Sequence, residues 1–452
     1  MNTNKRLKTP LKIIIGYLAF TLVLYVLGPF NWVIYRPIVF WLLNLAFLAA
    51  FIIGWNCGLR TYVTNYQFED DYATHITNNL RFLITINFLY ELINSFRRFM
   101  LSSFSVGTLL RSIIAGLGDM GGSYRDFQSS IDDVSVGALG GTAVTLFNLI
   151  WAFIAFNILI LGIVYFKKLS LYNKVILSLT IALIVVEYIA TGTNIGVFRI
   201  LLIFVTLFSI RVARGGFHLR GSINKKNKRR LIMLSIVAVI AALTLFDQIM
   251  KSRGGILLWQ SEYYNVGGIY LNRDSVIFKF MPVSLYMLLI ALSSYLCQGY
   301  YGMSLSLRIP WEPGYGVGHS MAIMNLLGDA VKIPHENTYQ YRVSAFGWQE
   351  DVQWHTMYSW FANDISYIGV IFIMFIIGLV FSMAYRDAVL TNNPYAKLVT
   401  YYMMLLAVFI PCNNQLFQST YTMFAFFTAL FLWLTTRGRK QVVFCLGGKR
   451  LW

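Results

Sequence analysis

Charge is scarce in this sequence. Asp, Glu, Lys and Arg make up 12% of its 452 residues, against 57% hydrophobic residues, and so few charges cannot cover a soluble globule of that length. With a mean hydropathy of +0.61, the chain reads as an all-α polytopic membrane protein. Cysteine is also scarce. Cys57, Cys297, Cys412 and Cys445 are scattered with no paired ligand spacing, which argues against a zinc or iron–sulfur centre and against a disulfide scaffold. No metal or other cofactor is expected. A small-residue cleavage site is missing too: the basic start MNTNKRLKTPLK leads into an apolar run that ends in LGPFNW. That run is therefore expected to be a retained first helix and not a removed signal peptide.

Long apolar runs are abundant. Crossing about 30 Å of hydrocarbon takes roughly 17 to 25 helical residues. Runs of about that length lie near 12–29, 38–57, 80–96, 142–166, 175–191, 195–210, 231–249, 365–385, 397–411 and 420–436, so about ten transmembrane helices are expected. Asn87, Glu91 and Asn94 make the third the most polar, and the fifth and sixth are joined by the short turn Thr191–Asn194. With the N-terminus in the cytoplasm, the cytoplasmic segments hold 24 Lys and Arg and the external loops 12, with Arg199 inside a span. Among acidic residues only Glu69, Asp70, Asp71 and Asp387 fall inside. The net charge of +18 is thus an orientation signal of the positive-inside kind, with both termini cytoplasmic. Runs such as NKKNKRR face anionic lipid in this reading, and no nucleic-acid partner is needed.

Residues 277–297 are apolar enough to cross, yet a crossing there would turn the basic tail outward. They are expected to be re-entrant or interfacial, packed against protein. Three regions follow: 1–249 with seven helices and an external loop at 97–141, a long external loop at 250–363, and 364–452 with three helices and a basic tail. A connection as long as the middle region is usually functional. It carries Lys251, Lys279 and Lys332 besides its arginines, and aromatic residues that include Trp259, Tyr263, Tyr264, Trp311, Tyr315, Trp348, Trp354 and Trp360. Aromatic faces suit sugar rings and also a membrane-interface belt, and both readings stay open. Its glycine-rich turns, RGG, NVGG, QGYYG and EPGYGVGH, let backbone turn tightly or approach a ligand, but GYGVG lacks the strand–turn–helix context of a nucleotide fingerprint.

Arginine forks at the outer boundary suit phosphate oxygens without a metal. Arg253, Arg273, Arg308 and Arg342 are the candidates, although each could equally snorkel to phospholipid headgroups. In WHTMYSWFANDISYIGV, His355 and Asp364 are nine residues apart. On a continuous helix they point to opposite faces, so a direct His–Asp pair requires a break between them. A short helix followed by the span would instead let His355 point into a cavity and Asp364 cap the joint.

At these residues the chain resembles the Wzy-type family of O-antigen and capsule repeat-unit polymerases. Members of that wider group end their large periplasmic loop with a His, an acidic residue nine positions on, and glycines at eleven and fourteen. His355, Asp364 and Gly369 fit, and Ser366 stands where the first glycine would be. YLCQGYYGMSLSL is similar to the family's mid-loop segment. Gly192-Thr193-Asn194-Ile195-Gly196 stands where many members carry Gly-x-Arg-Gly, with Asn194 in the arginine's place and Arg199 a turn later.

The resemblance implies a GT-C-like, metal-independent glycosyltransferase of the bacterial inner membrane. It would join undecaprenyl-pyrophosphate-linked repeat units at the periplasmic face, with a polysaccharide chain-length regulator as a candidate partner. Arginines would neutralise the leaving pyrophosphate, with Arg253, Arg273 and Arg342 favoured, and His355 would be the acceptor base or a pyrophosphate contact. His319, Asp364, Arg308 and Arg199 come next as substrate contacts. Arg111 and Arg125, in the loop at 97–141 with GDMGGSYRDF, are candidates for holding the second lipid-linked substrate. An O-antigen ligase would use the same donor. A lipid-linked oligosaccharide flippase is a third reading, although secondary transporters usually show paired repeats and none is evident here.

Overall fold

The computed structural model describes residues 6–61, 68, 70–101, 104–129, 141–215, 225–255, 269–350 and 352–437. Trp259, Tyr263, Tyr264, the NVGG turn, much of the basic segment around NKKNKRR, Cys445 and the basic tail beyond Arg437 lie outside them. Among the described residues there is no strand, only an isolated bridge between Phe30 and Leu271. In chain order the helices of eight or more residues are α1 (Thr9–Leu27), α2 (Pro37–Arg60), α3 (Asp70–Arg98), α4 (Val106–Gly118), α5 (Met120–Ser129), α6 (Gly141–Ala152), α7 (Ala155–Val164) and α8 (Leu171–Ala190). They continue as α9 (Ile195–Gly215), α10 (Lys225–Met250), α11 (Tyr286–Ser306), α12 (Met321–Val331), α13 (Met357–Leu390), α14 (Pro394–Phe409) and α15 (Thr420–Arg437).

Every one of the ten apolar runs falls on helix. Five helices, α1, α2, α8, α9 and α13, are long and apolar enough to cross a membrane, and α6 with α7, bent by 49°, makes a sixth if counted as one broken span. The described residues are therefore all-helical, with the spans of a multi-pass membrane protein. α14 falls short in length and is a shorter apolar helix, while α3 carries its polar residues inward.

The described residues form two compact units. The first draws on Met1–Tyr62, Gly255–Arg386 and Tyr402–Met423, and the second on Val63–Gly254, Asp387–Tyr401 and Phe424–Trp452. In the first, α2 and α13 meet along a seam of small residues. A Cβ on Gly54 would collide with the Phe375 carbonyl oxygen, and one on Gly378 with that of Phe51. Gly54 and Gly58 thus face Gly378 and Ser382 at four-residue spacing, the pattern that lets membrane helices approach backbone to backbone. At the end of the seam the buried Arg386 guanidinium donates to the carbonyls of Gly58 (2.9 Å), Leu59 (3.0 Å) and Thr61 (2.7 Å) and to Thr61 Oγ1 (2.8 Å). A cation at a helix C-terminus meets both the dipole and the orphan carbonyls.

The apolar segment 277–297 is broken at Pro282. A single helical turn, Val276–Lys279, precedes it and α11 follows. From Leu289 onward α11 is largely buried, with Tyr300 Oη 3.0 Å from Thr21 Oγ1 on α1 and Cys297 Sγ donating to the Thr21 carbonyl (3.7 Å).

In the second unit the polar residues of α3 are not defects in a span. Asn87, Glu91 and Ser95 recur every four residues and are buried. Trp151 Nε1 donates to Asn87 Oδ1 (3.0 Å), Ser95 hydrogen-bonds Glu187 on α8, and Arg98 Nε lies 3.5 Å from Glu187 Oε1. Ionisable groups set among apolar helices face protein and pair in this way. Next to them Phe96, Leu109, Ile113 and Ala190 form an apolar cluster where α3, α4 and α8 pack.

Candidate functional site

The site in the first unit is built on a helix break. Ser366, inside α13, has φ 61 and ψ 167, a region that only glycine occupies without strain. Carbonyls next to such a break lose their in-line helical partners. The Asn363 carbonyl, three residues before it, accepts from Gly314 N (2.8 Å) and Trp311 Nε1 (3.1 Å). The Asn363 side chain accepts from Tyr339 N (2.9 Å) and donates to the Gly318 carbonyl (2.7 Å) and Gln340 Oε1 (2.8 Å). One residue therefore ties the segment 311–318 and the turn at Tyr339 to the start of α13. Ser366→Gly is expected to stabilise the purified protein by about 1 kcal/mol through relief of this backbone conformation. Thermal unfolding in detergent would show it as a higher Tm.

Asp364 completes the arrangement. Tyr315 and Gly316 both have positive φ (47 and 89), a backbone turn that gathers N–H groups into an anion-holding nest. The Asp364 carboxylate fills it, accepting from Gly316 N (2.9 Å), Gly318 N (2.9 Å) and His319 N (3.1 Å), and His319 Nδ1 lies 2.8 Å from its Oδ2. With Nδ1 as the donor to that carboxylate, Nε2 is the ring nitrogen left for an outside partner. The imidazole lies parallel to Phe361 (5.4 Å between centroids) and edge-on to Phe417 (5.4 Å), and Asn414 Nδ2 holds the His319 carbonyl (2.8 Å). Its side chain is 17% exposed and that of Asp364 8%. A carboxylate that fixes the tautomer and aim of a partly open imidazole is the arrangement of a general base.

The predicted joint cap is thus replaced by something else. Asp364 holds a loop 45 residues upstream, and the break lies after it, not between it and His355. His355 is 1% exposed, with no hydrogen-bond partner for either ring nitrogen among the described residues. It packs on bare backbone: a Cβ on Gly302 would sit 2.9 Å from its Nδ1 and 2.9 Å from Trp348 Nε1. Burial pushes its pKa from 6.5 down to about 3. The native ring refuses a proton that the unfolded chain accepts, so its contribution to stability is intact above pH 6.5 and is lost as pH falls from 6.5 towards 3. The full penalty is roughly 4 to 5 kcal/mol. His355→Phe is therefore expected to flatten the loss of Tm between pH 7 and pH 5, measured beside the unsubstituted protein.

Of the predicted arginines in this unit, Arg342 meets the segment that leads to His319, and Arg308 stacks on aromatic rings. Arg342 Nη1 donates to the Pro310 carbonyl (2.9 Å) and pairs with Glu312 (3.2 Å), and the Arg308 guanidinium lies over Tyr35 (4.6 Å) and Phe346 (4.2 Å). Arg273 is exposed in the turn that follows the Phe30–Leu271 bridge. His335, between Pro334 and Glu336, pairs with Glu350 (2.7 Å), which raises its pKa.

The remaining candidates belong to the second unit. Arg253 donates through Nε to the Gly192 carbonyl (2.8 Å), at a residue with φ +62, and stacks over Tyr124 at 3.5 Å. Arg199 is buried one turn into α9, with no hydrogen-bond partner at Nε among the described residues. Arg111 is exposed, its Nε bonded to the Gly107 carbonyl (3.3 Å), and Arg125 is exposed on α5. Sequence reasoning passed over Arg98, whose guanidinium lies 3.8 Å over Tyr188 at the same end of α8. As one of a terminal Arg–Arg pair it counts only as an orientation charge; the signal that would single it out is Glu187, an acid inside a span. Among the described residues no group of three or more His, Cys, Asp or Glu could hold a metal ion. No protein-family model, curated protein or solved structure matches the chain.

Proposed function

We propose that the chain is a metal-independent membrane glycosyltransferase that polymerises undecaprenyl-pyrophosphate-linked oligosaccharide repeat units into O-antigen or capsular polysaccharide. In this reading it has ten spans in a GT-C-like arrangement in the bacterial inner membrane, both termini are cytoplasmic, and residues 250–363 lie on the periplasmic side. The observation that carries the reading is the His319–Asp364 pair, 2.8 Å apart, which joins that long loop to α13. An acceptor-sugar hydroxyl attacks the anomeric carbon of the growing chain and gives its proton to His319 Nε2. The new C–O bond forms as the bond to phosphate breaks, and the pyrophosphate leaves with the electron pair. The partial exposure of His319 and the burial of His355 favour His319 as the base. The chemistry asks for cations at the departing charge, and Arg273, Arg308 and Arg342 are the candidates in the unit that carries the pair.

The test is deletion of the gene in its host, with surface polysaccharide run on a gel beside a complemented strain. Collapse from a ladder to a single repeat unit on its final acceptor supports the polymerase. Long polymer left on the lipid carrier would make the protein a ligase, and loss of every surface repeat with units trapped inside would make it a flippase.

A further inference from the structure

Three side-chain amides surround the turn that bears His319, and each is only half used. Asn414 donates through Nδ2 to the His319 carbonyl (2.8 Å), and Gln418 Oε1 accepts from Met321 N (3.4 Å). Gln340 Oε1 accepts from Asn363 Nδ2 (2.8 Å), which also donates to the Gly318 carbonyl. The opposite ends, Asn414 Oδ1, Gln418 Nε2 and Gln340 Nε2, are shielded from solvent and have no hydrogen-bond partner among the described residues. Asn414 and Gln340 are each 0% exposed. Buried polar atoms are nearly always satisfied, because an unmet one keeps its full desolvation cost. Three unmet ends around one turn, beside the partly exposed His319 imidazole, mark a place that a polar partner completes.

We propose that Gln340, Asn414 and Gln418 form the hydroxyl-reading wall of an acceptor-sugar subsite that delivers its nucleophilic hydroxyl to His319. The inference rests on the glycosyltransferase reading and adds the side of the reaction that this region serves. Its chemistry is that of a neutral ligand. Two free N–H donors and one free carbonyl acceptor match sugar hydroxyls, each of which both donates and accepts. They suit a pyrophosphate poorly, because Asn414 Oδ1 would face its charge and none of the three is cationic. Phe361 and Phe417 add apolar surface of the kind that packs against sugar rings. The acceptor sugar is therefore oriented here, and the leaving group is held elsewhere.

The probe is the free repeat-unit oligosaccharide, released by mild acid from the lipid-linked pool of the deletion strain, so that it carries no pyrophosphate. Calorimetric titration into the purified full-length protein in nanodiscs is expected to show binding. Gln418→Glu keeps an acceptor for Met321 N and converts the free donor into an acceptor, and it should weaken binding by at least about tenfold. In the polymerisation assay the same variant should raise KM for the acceptor far more than it lowers kcat. Gln418→Met, which removes the amide at similar volume, should do the same while its Tm reports on folding. Failure of the unsubstituted protein to bind the oligosaccharide overturns the subsite. Affinity unchanged in both variants overturns it as well, and buried water then fills the three amide ends. His319→Ala separates the two levels. Polymer made at the normal rate by that variant sinks the catalytic reading, whereas no polymer together with unchanged binding in the Gln418 variants sinks only the subsite.

Discussion

Cells carrying His319→Ala or Asp364→Ala in place of the unsubstituted gene are expected to lose long-chain polysaccharide and show single repeat units, with the protein still present in the membrane fraction. A general base that takes a proton in the transition state contributes about 10²- to 10⁴-fold, so a turnover assay should fall by that range in His319→Ala. Asp364→Ala should be at least as severe, since it removes the tautomer-fixing partner and leaves the N–H groups of Gly316, Gly318 and His319 without their common acceptor. Asp364→Asn is the discriminating variant. It keeps a carbonyl for the nest but cannot hold the imidazole in the same tautomer, and comparable losses have been rationalised in that way for triads. Activity near normal in Asp364→Asn would remove the pair from the chemistry and leave it a role in folding the loop.

The second large effect is on stability. Arg386→Ala is expected to lower the unfolding free energy by about 3 kcal/mol, because charge-assisted hydrogen bonds to the end of α2 are lost and the buried Gly58 carbonyl is left without its donor. Arg386→Lys should recover only part of that, since a single ammonium cannot span the Gly58, Leu59 and Thr61 carbonyls as the guanidinium does. Thermal unfolding in detergent, followed by the change in helical signal, measures both. Equal Tm values for Arg386→Ala and the unsubstituted protein would mean that the seam alone holds α2 to α13.

How much of this could be read beforehand follows from the range of the interactions. The apolar runs are local, and every one of them is helix; even the polar third run is, since period-four spacing of Asn87, Glu91 and Ser95 puts its polarity on one buried stripe. Asp364 stands out in the sequence, but its partner does not. Nine-residue spacing draws attention to His355, whereas the contact that forms is with His319, brought 45 residues through space by the positive-φ turn at Tyr315 and Gly316. The GYGVGH stretch is legible as a tight turn ahead of a histidine; which acid it would close upon is a long-range choice that no local period encodes. Ser366 is a case where the departure from the resembled pattern has physical content. A glycine at that position would suit φ 61, and the serine adopts the same break at a cost in strain. Arg386 reads from sequence as one more basic residue at a helix exit. Only the close approach of α2 turns it into a joint.

The seam between α2 and α13 also dictates an order of manufacture. Gly58 and Arg386 are separated by 328 residues, and a chain is made and inserted from its N-terminus. The face of α2 that bears Gly54 and Gly58 must therefore wait, covered by lipid or by a provisional neighbour, until most of the protein has left the ribosome. Closure of the first unit is a late event in biogenesis, and a chain truncated before Gly378 has every residue of α2 and nothing to seat it against.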